Sequence, residues 1–324
     1  MKIFLRNLTF ILFVALLCRL PLYGEEAKDG KNEFAGEFSA YGVKVSLGNY
    51  YFVKQTIAVF GSRFGEAVAT PDELEDQVWT QLLLSYEAFR RNITVSAAEL
   101  DEELDKTLKS EKASFDRKKD AAAYEKWVKD KTGETVEMFE NQLRHLIQLE
   151  KLRKQVMDGI VPTVTLEEAR QEFLNEYNTL ELELVQFDEL KDAQAFYRKM
   201  QKPSLWVEER RKNPKFAKYP GFVSLEFLIN MWKIPKDDCY KMLGEKIDSI
   251  YPPTPIYKGY GVFRILKKRL ADEQEFAKLK DSYFKQVEMI KKYEGFNAWL
   301  KKLKEEARIR IYPKQAPETS GKKE

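Results

Sequence analysis

Residues 70–99 read TPDELEDQVWTQLLLSYEAFRRNITVSAAE, and this stretch decides the fold of the first part of the chain. Thr70, Pro71 and Glu73 are typical of a helix start, since they supply a cap, a proline at the first helical position and a glutamate three residues after the cap. Apolar residues then recur at helical spacing and predict a helix of about five or six turns. The β-branched segment 93–95 ends that helix, and a second start signal follows at Ser96.

The same signal occurs a third time at Thr165, within TLEE at 165–168. Before it, residues 135–157 place apolar side chains at helical spacing and predict another long helix. The charged stretch 106–132 predicts a surface helix and loop that end at Gly133. The first half of the chain is therefore expected to be mainly helical.

The pattern changes at residue 179. Residues 180–187 (LELELVQF) alternate with period two and predict a strand, as do residues 259–266 (GYGVFRIL). Between them, we expect a short helix at 188–200 and a basic, proline-punctuated loop at 202–220. A second domain of α+β type is expected here.

Helical spacing returns at 273–307, and residues 308–312 alternate as a final strand. Because so long an amphipathic helix needs partners, we expect the chain to return to the first domain. The predicted fold class is α+β, a mainly helical domain completed by the C-terminal helix, with an inserted α+β domain. The expected divisions are a signal peptide at 1–24, the first domain at 25–178 with a mobile polar start at 25–36, the insertion at 179–270, the returning helix and strand at 271–312, and a disordered tail at 313–324.

The first 24 residues predict export. Lys2 and Arg6 precede an uncharged run at 8–17 (LTFILFVALL), which is too short to span a bilayer but suits a signal peptide cleaved after Gly24. No later segment reaches the length of a transmembrane helix, so a soluble exported protein is expected. Leu17, just before Cys18, argues against a lipid anchor.

Charge and composition exclude several functions. The chain has 55 Lys and Arg against 52 Asp and Glu, and removal of residues 1–24 would leave 52 of each. A neutral, evenly mixed surface predicts no nucleic-acid partner. No zinc-binding cluster, phosphate-binding glycine loop or nucleophile elbow is present, so neither a cofactor nor a metal is expected.

Two residues are candidates for a catalytic role. His145 is the only histidine, and Cys239 is the only cysteine after residue 24. A lone thiol is most often a small buried hydrophobe, and a lone helical histidine is usually structural or exposed. A catalytic pair of the two is therefore disfavoured.

The order of these elements resembles a known family. Residues 72–104 and 134–168 are similar to the N-terminal domain of the SurA, PrsA and PpiD chaperones. Residues 179–270 resemble the parvulin-type prolyl isomerase domain of that family through ELELVQFDELKDAQAFYRKM at 181–200, LGEKIDS at 243–249 and GYGV at 259–262. The resemblance implies a periplasmic protein that handles other polypeptides.

The parvulin-like segment departs from its family at the catalytic positions. Active parvulins carry a histidine in the first strand and another after the glycine-tyrosine pair of the last strand. This chain has Gly261 at the second position, no histidine beyond 145, and a glycine-rich loop reduced to Pro220 and Gly221. No catalytic residue is predicted, and the remnant of the site would comprise Tyr260, Gly261 and Cys239.

The leading hypothesis is a periplasmic holdase, a chaperone that binds unfolded or nascent outer-membrane polypeptides without catalysis. Such a protein needs exposed apolar side chains. Aromatic residues of the less regular segments are the candidates, although aromatic residues also fill cores: Tyr124, Trp127, Trp206, Phe222, Phe227 and Trp232. The alternatives are a divergent prolyl isomerase whose site uses Tyr, Cys or Asp, and an envelope scaffold or surface interaction protein.

Overall fold

The computed structural model describes residues 34–61 and 70–313. The predicted signal peptide and nearly all of the predicted disordered tail lie outside these residues. The chain forms two compact units. Unit 1 comprises the described residues of Met1–Ile160 and Gly295–Glu324, and unit 2 comprises Val161–Glu294.

The elements follow one another in this order: β1 (Phe34–Phe38), a 3-10 turn (Ser39–Tyr41), β2 (Val43–Ser46), α1 (Leu47–Phe60), α2 (Pro71–Arg90), α3 (Ala97–Ser110), α4 (Ala121–Thr132), α5 (Val136–Asp158), α6 (Leu166–Tyr177), β3 (Thr179–Phe187), α7 (Leu190–Lys199), α8 (Pro203–Lys212), β4 (Lys218–Ser224), α9 (Leu225–Asn230), α10 (Lys236–Gly244), β5 (Ile250–Pro255), β6 (Tyr260–Arg269), α11 (Glu273–Ala307) and β7 (Ile309–Ile311). Helices dominate, and two antiparallel sheets accompany them. The predicted α+β class is confirmed.

All three predicted helix starts form complete capping boxes. The side chains of Thr70, Ser96 and Thr165 each accept a hydrogen bond from the backbone N–H three residues later, and the glutamate there accepts one from the backbone of the cap. Two otherwise unpaired N–H groups are satisfied at each start, which fixes where α2, α3 and α6 begin. Gly133 ends α4 in the left-handed conformation, as expected.

Unit 1 joins the two ends of the described chain in one sheet of order β2-β1-β7. Residues 34–36 belong to β1, so the expectation of a mobile polar segment was wrong for them. At Gly36 a Cβ atom would lie 2.3 Å from the Arg310 carbonyl oxygen and 2.6 Å from the Trp79 ring, so only glycine lets β7 and α2 approach so closely.

Two hydrophobic clusters build unit 1. One gathers β1, β2, α1, α2, α5 and the end of α11 around the buried Trp79 and Leu83. The other joins α3, α4 and α5 through Leu104, Val128 and Phe139.

Unit 2 is built on a four-stranded antiparallel sheet of order β4-β3-β6-β5. One face packs against α9 and α10 through Leu182, Phe263 and Met242. The other face packs against α7 and α8 through Trp206 and Val262. Since both faces are covered, β3 is buried along most of its length.

The prediction of a loop at 202–220 was wrong, because this segment contains α8 and the start of β4. Arg211 and Lys212 of α8 are exposed and Arg210 is half-buried, and Trp206 is the one fully buried residue of the helix. A helix with a single buried apolar residue has too weak a hydrophobic periodicity to be recognised in the sequence.

Unit 2 extends beyond the insertion expected at 179–270. Phe173 of α6 packs against Phe276 and Tyr283 of α11. The Tyr283 hydroxyl also donates a hydrogen bond to Glu176, at 2.5 Å. Because of these contacts, α6 and the first part of α11 belong to the same compact unit as the sheet. Within the described residues, no helix is long and apolar enough to cross a membrane.

Candidate functional site

Apolar side chains are exposed on two neighbouring segments of unit 2, the end of α9 and the β5–β6 turn. Phe227, Met231 and Tyr257 are 39%, 62% and 68% exposed, and Trp232 lies between them, partly buried. We call these four residues the aromatic surface. Exposed apolar side chains grouped on neighbouring segments make this part of unit 2 the candidate for contact with a partner.

Backbone hydrogen bonds hold the aromatic surface together. The N–H groups of Met231 and Trp232 donate to the Phe227 carbonyl oxygen at 2.9 and 3.4 Å, which closes the end of α9. The Tyr257 N–H donates to the Trp232 carbonyl oxygen at 2.7 Å, tying the β5–β6 turn to the α9–α10 loop. The β5–β6 turn requires glycine at position 259 for two reasons. Gly259 has a φ of 81°, and a Cβ atom there would lie 2.0 Å from the Phe187 carbonyl oxygen.

Ring contacts hold the centre of this surface on two sides. The Trp232 ring stacks on the buried Phe263, with centroids 6.1 Å apart and planes at 26°. Phe227 meets the same indole edge to face at 5.8 Å. A tryptophan held on both sides offers a large apolar area at a small further cost in side-chain entropy.

Chemically, the aromatic surface suits binding rather than bond breaking. It offers two aromatic rings, an indole and a flexible thioether, and the Lys258 ammonium lies 5.6 Å from the centroid of the Tyr257 ring. Methionine adapts to apolar partners of varied shape, and aromatic rings supply a large apolar contact area.

The position expected for the second parvulin histidine is closed. A Cβ atom on Gly261 would lie 2.8 Å from Leu184 Cδ1 and 2.8 Å from Phe263 Cε2, closer than real Cβ atoms approach other atoms. Since Leu184 and Phe263 are both buried in the core beneath the sheet, a side chain at 261 has no room in this arrangement.

The three residues of the predicted remnant site do not form one site. Gly261 contacts the core that contains Cys239, whereas Tyr260 packs on the other face of the sheet, with Trp206 and Val262. Burial raises the pKa of the Cys239 thiol to about 12, so it stays protonated and is not a nucleophile at neutral pH. The buried-thiol interpretation of Cys239 agrees with its place in this core.

Of the six predicted aromatic candidates, the structure brings Phe227 and Trp232 together. Phe222 lies apart on β4, where the Arg269 guanidinium sits 3.8 Å from the centroid of its ring. Trp206 is fully buried between Phe196 and Phe216.

The remaining two candidates belong to unit 1. Tyr124 is buried, and its hydroxyl donates a hydrogen bond to Glu140 at 3.1 Å. Trp127 packs edge to face on Phe139 at 5.9 Å. As folded, Tyr124 and Trp206 stabilise cores and offer no surface to a partner.

Sequence reasoning missed Met231 and Tyr257. Both lie in short connections, where an apolar side chain has no neighbouring pattern that would bury it. An exposed methionine beside a tryptophan, and a tyrosine two residues before a turn glycine, are the signals that could have indicated them.

His145 lies on α5 in unit 1 and Cys239 on α10 in unit 2, so the disfavoured catalytic pair would need side chains from two separate units. Across the described ranges, no group of three or more His, Cys, Asp or Glu side chains could hold a metal ion.

No protein-family model matches the chain. No curated protein matches it in sequence. Solved structures do match. A SurA-like chaperone of Campylobacter jejuni, from the pair formed by the virulence factor PEB4 and the periplasmic protein Cj1289, is 14% identical, with 85% of this chain and 96% of that chain covered and a TM-score of 0.39.

The peptidylprolyl isomerase PrsA of Bacillus anthracis is 14% identical, with 74% of this chain and 100% of that chain covered and a TM-score of 0.42. The foldase PrsA of Streptococcus pneumoniae is 15% identical, with 85% of this chain and 94% of that chain covered and a TM-score of 0.33. These are the SurA and PrsA types that the sequence resembles, and at such low TM-scores the function of this chain rests on its own residues.

Proposed function

We propose that this protein is a chaperone that holds unfolded polypeptides on the aromatic surface of unit 2 and does not catalyse prolyl isomerisation. One observation carries the proposal. Phe227, Met231 and Tyr257 expose apolar area around the anchored Trp232, while the catalytic position at Gly261 is closed. Unfolded clients offer apolar side chains in many sequences, which suits a surface that binds without fixed polar contacts.

The cellular part of the proposal rests on the sequence. The signal peptide predicted at residues 1–24 supports export, and the resemblance to SurA-like chaperones supports a periplasmic location. Unfolded or nascent outer-membrane polypeptides are then the proposed clients.

Suppression of aggregation tests the holding activity. The double variant Met231→Ser/Tyr257→Ser removes the two most exposed side chains of the aromatic surface, so it costs the fold little. We expect the wild-type protein to suppress aggregation of a chemically unfolded client at near-stoichiometric ratios. The double variant should need about fivefold more protein for the same effect, since the loss of one or two apolar contacts is worth about 1 kcal/mol.

Val207→Ser is the matched control, because Val207 is 42% exposed on α8 in the same unit and takes no part in the aromatic surface. It should suppress aggregation as the wild type does. Equal suppression by the double variant would place client binding on another surface and overturn this assignment.

A prolyl isomerase assay on the same preparation tests the second half of the proposal. We expect no acceleration of isomerisation in a proline-containing tetrapeptide, because Gly261 offers no polar side chain and Cys239 is a buried neutral thiol. Acceleration that is lost on substitution of Tyr260 or Cys239 would favour a divergent isomerase instead.

A further inference from the structure

The four-stranded sheet of unit 2 has two edges, β4 and β5, and they differ in their backbone chemistry. In β5, Pro252, Pro253 and Pro255 have no N–H group to offer, which is one way in which proteins protect a sheet edge from further strands. β4 contains a single proline, Pro220. The edge at β4 is therefore the better suited of the two to accept another strand.

The register of β4 shows which of its backbone groups face outward. The Leu225 N–H donates to the Asn178 carbonyl oxygen at 3.1 Å, one position beyond the first pair of β3 and β4, and the register is regular from there to Phe222. Hydrogen-bonded and non-hydrogen-bonded pairs alternate in an antiparallel ladder. Phe222, opposite Glu181, is therefore at a non-hydrogen-bonded position, and its N–H and C=O groups point away from β3.

These two outward groups have no partner in the part of the chain that the structure describes. Among those residues, no segment bonds to the backbone of Phe222 from the side away from β3. A strand laid along β4 would pair with this N–H and this carbonyl oxygen, the mode of binding called β-augmentation. Since main-chain hydrogen bonds are shared by all sequences, the charges beside the edge must decide which segment binds.

Positive charge borders the edge. Residues 210–225 contain five Lys and Arg and no Asp or Glu. The Arg269 guanidinium lies 3.8 Å from the centroid of the Phe222 ring. Arg269 is exposed, and its guanidinium forms neither an ion pair nor a hydrogen bond with any described residue, whereas Glu181, opposite Phe222, is already paired with Lys267 at 3.0 Å. The donors of Arg269 are therefore free for a carboxylate from outside the chain.

We propose that β4 binds an extended, acidic segment of another polypeptide by β-augmentation, with a carboxylate of that segment on Arg269. The residue opposite Phe222 in such a ladder has its Cβ atom about 4.5–5.5 Å from that of Phe222, so an Asp or Glu there can reach the guanidinium beside the ring. The planar donors of arginine match a carboxylate. Two β4 strands from two copies of this chain would bring like charges together, which disfavours self-pairing. The site is separate from the aromatic surface and independent of the proposed holding activity.

Titration of the full chain with short peptides tests the charge preference. The peptide acetyl-TEVEVEVT-amide places its glutamates on one face of an extended strand, and acetyl-TQVQVQVT-amide is its neutral counterpart. We expect the acidic peptide to bind about tenfold more tightly, because a hydrogen bond to a charged group is stronger than one to a neutral group. Equal affinities for the two peptides, or no binding of the acidic peptide, would overturn the proposal.

Hydrogen exchange at single amides tests the strand pairing. With the acidic peptide bound, the Phe222 amide should exchange about tenfold more slowly, whereas the Val223 amide, which faces β3, should change much less. The acidic peptide with N-methyl groups on its glutamates keeps its charge but cannot donate to the Phe222 carbonyl oxygen, so it should bind about tenfold more weakly. Binding without protection of the Phe222 amide would mean that charge alone holds the peptide, and would refute the pairing.

Two variants locate the charge effect. Arg269→Gln removes the proposed partner of the carboxylate, and Arg198→Gln is the matched control, because Arg198 is also exposed and lies on α7. Arg269→Gln should lower the affinity for the acidic peptide to that for the neutral peptide and leave the neutral peptide unaffected. Arg198→Gln should change neither affinity. An equal loss in the two variants would indicate a general effect of net charge and contradict a site at β4.

The same preparation distinguishes other occupants of β4. A short single-stranded DNA that binds more tightly than the acidic peptide would assign the basic run to nucleic acid and overturn the proposal. We expect the acidic peptide to leave the oligomeric state unchanged in sedimentation experiments. An oligomer that the peptide dissociates would place a second copy of this chain on β4 instead.

Discussion

At the scale of single residues, Gly261 links the core of unit 2 to the aromatic surface. Its missing side chain lets Leu184 and Phe263 close over the strand, and Phe263 in turn supports Trp232 of the aromatic surface. The absence of a side chain at position 261 and the support of the aromatic surface are therefore linked at one position. A side chain restored at 261 should disturb both the core and the surface above it.

Gly261→Ala tests this link. The new Cβ atom must displace two buried side chains, so we expect the free energy of unfolding to fall by about 1–3 kcal/mol, as in other overpacked cores. Gly244→Ala is the matched control in the same unit, since a Cβ atom there meets no atom within 4 Å. Its stability should change by less than about 0.5 kcal/mol in urea unfolding monitored by tryptophan fluorescence. Equal stabilities of the two variants would contradict the close packing at Gly261.

Local chemistry explains which residue roles could be predicted from sequence. The three capping boxes involve groups only three residues apart, so Thr70, Ser96 and Thr165 could be identified without knowledge of the fold. The closed position at Gly261 depends on Leu184, which approaches across a neighbouring strand. Contacts of that kind are set by the register of the sheet and are not visible in a linear pattern.

At the scale of elements, α8 shows why some structure could not be predicted. Its ten residues include one fully buried residue, Trp206, and an ion pair joins the helix to the sheet. Arg210 of α8 forms an ion pair with the fully buried Glu183 of β3. Arg264 of β6 lies 3.2 Å from the other oxygen of Glu183 and also pairs with Asp248. Such long-range pairs leave no periodic signal in the sequence.

Glu183→Gln should therefore destabilise unit 2. The variant keeps the shape of the side chain but leaves Arg264, which is only 11% exposed, with Asp248 as its remaining counterion. We expect a loss of about 3 kcal/mol in the free energy of unfolding, as when one partner of a buried pair is removed. Glu208→Gln is the control, because its pair with Lys212 is exposed and screened by water, so its loss should leave the stability nearly unchanged. Similar losses in the two variants, measured by urea unfolding, would mean that the buried network contributes no more than a surface pair.

At the scale of the whole molecule, the chain order differs from the order in space. β7 lies near the end of the described chain and pairs with β1 at its beginning, so unit 1 is completed only when residues 295–313 are present. The sequence predicted that the chain returns to its first domain, because the apolar stripe of α11 needed partners. It did not predict where unit 2 begins and ends, since α6 and α11 join that unit through Phe173 and Tyr283, which are distant in sequence.

Truncation after Arg308 tests the dependence of unit 1 on the returning strand. It removes β7 and also Tyr312, whose N–H donates to the Ala35 carbonyl oxygen and whose hydroxyl donates to Glu37, both at 2.9 Å. At about 1 kcal/mol for each net hydrogen bond, we expect unit 1 to lose about 2–3 kcal/mol. Hydrogen exchange should show faster exchange at the amides of β1 and unchanged exchange in β3 of unit 2.

Truncation after Pro313 keeps every one of these contacts and should leave both strands as protected as in the full chain. Unchanged protection of β1 after the shorter truncation would show that unit 1 is complete without its last strand, and a parallel loss in β3 would show that the two units unfold as one.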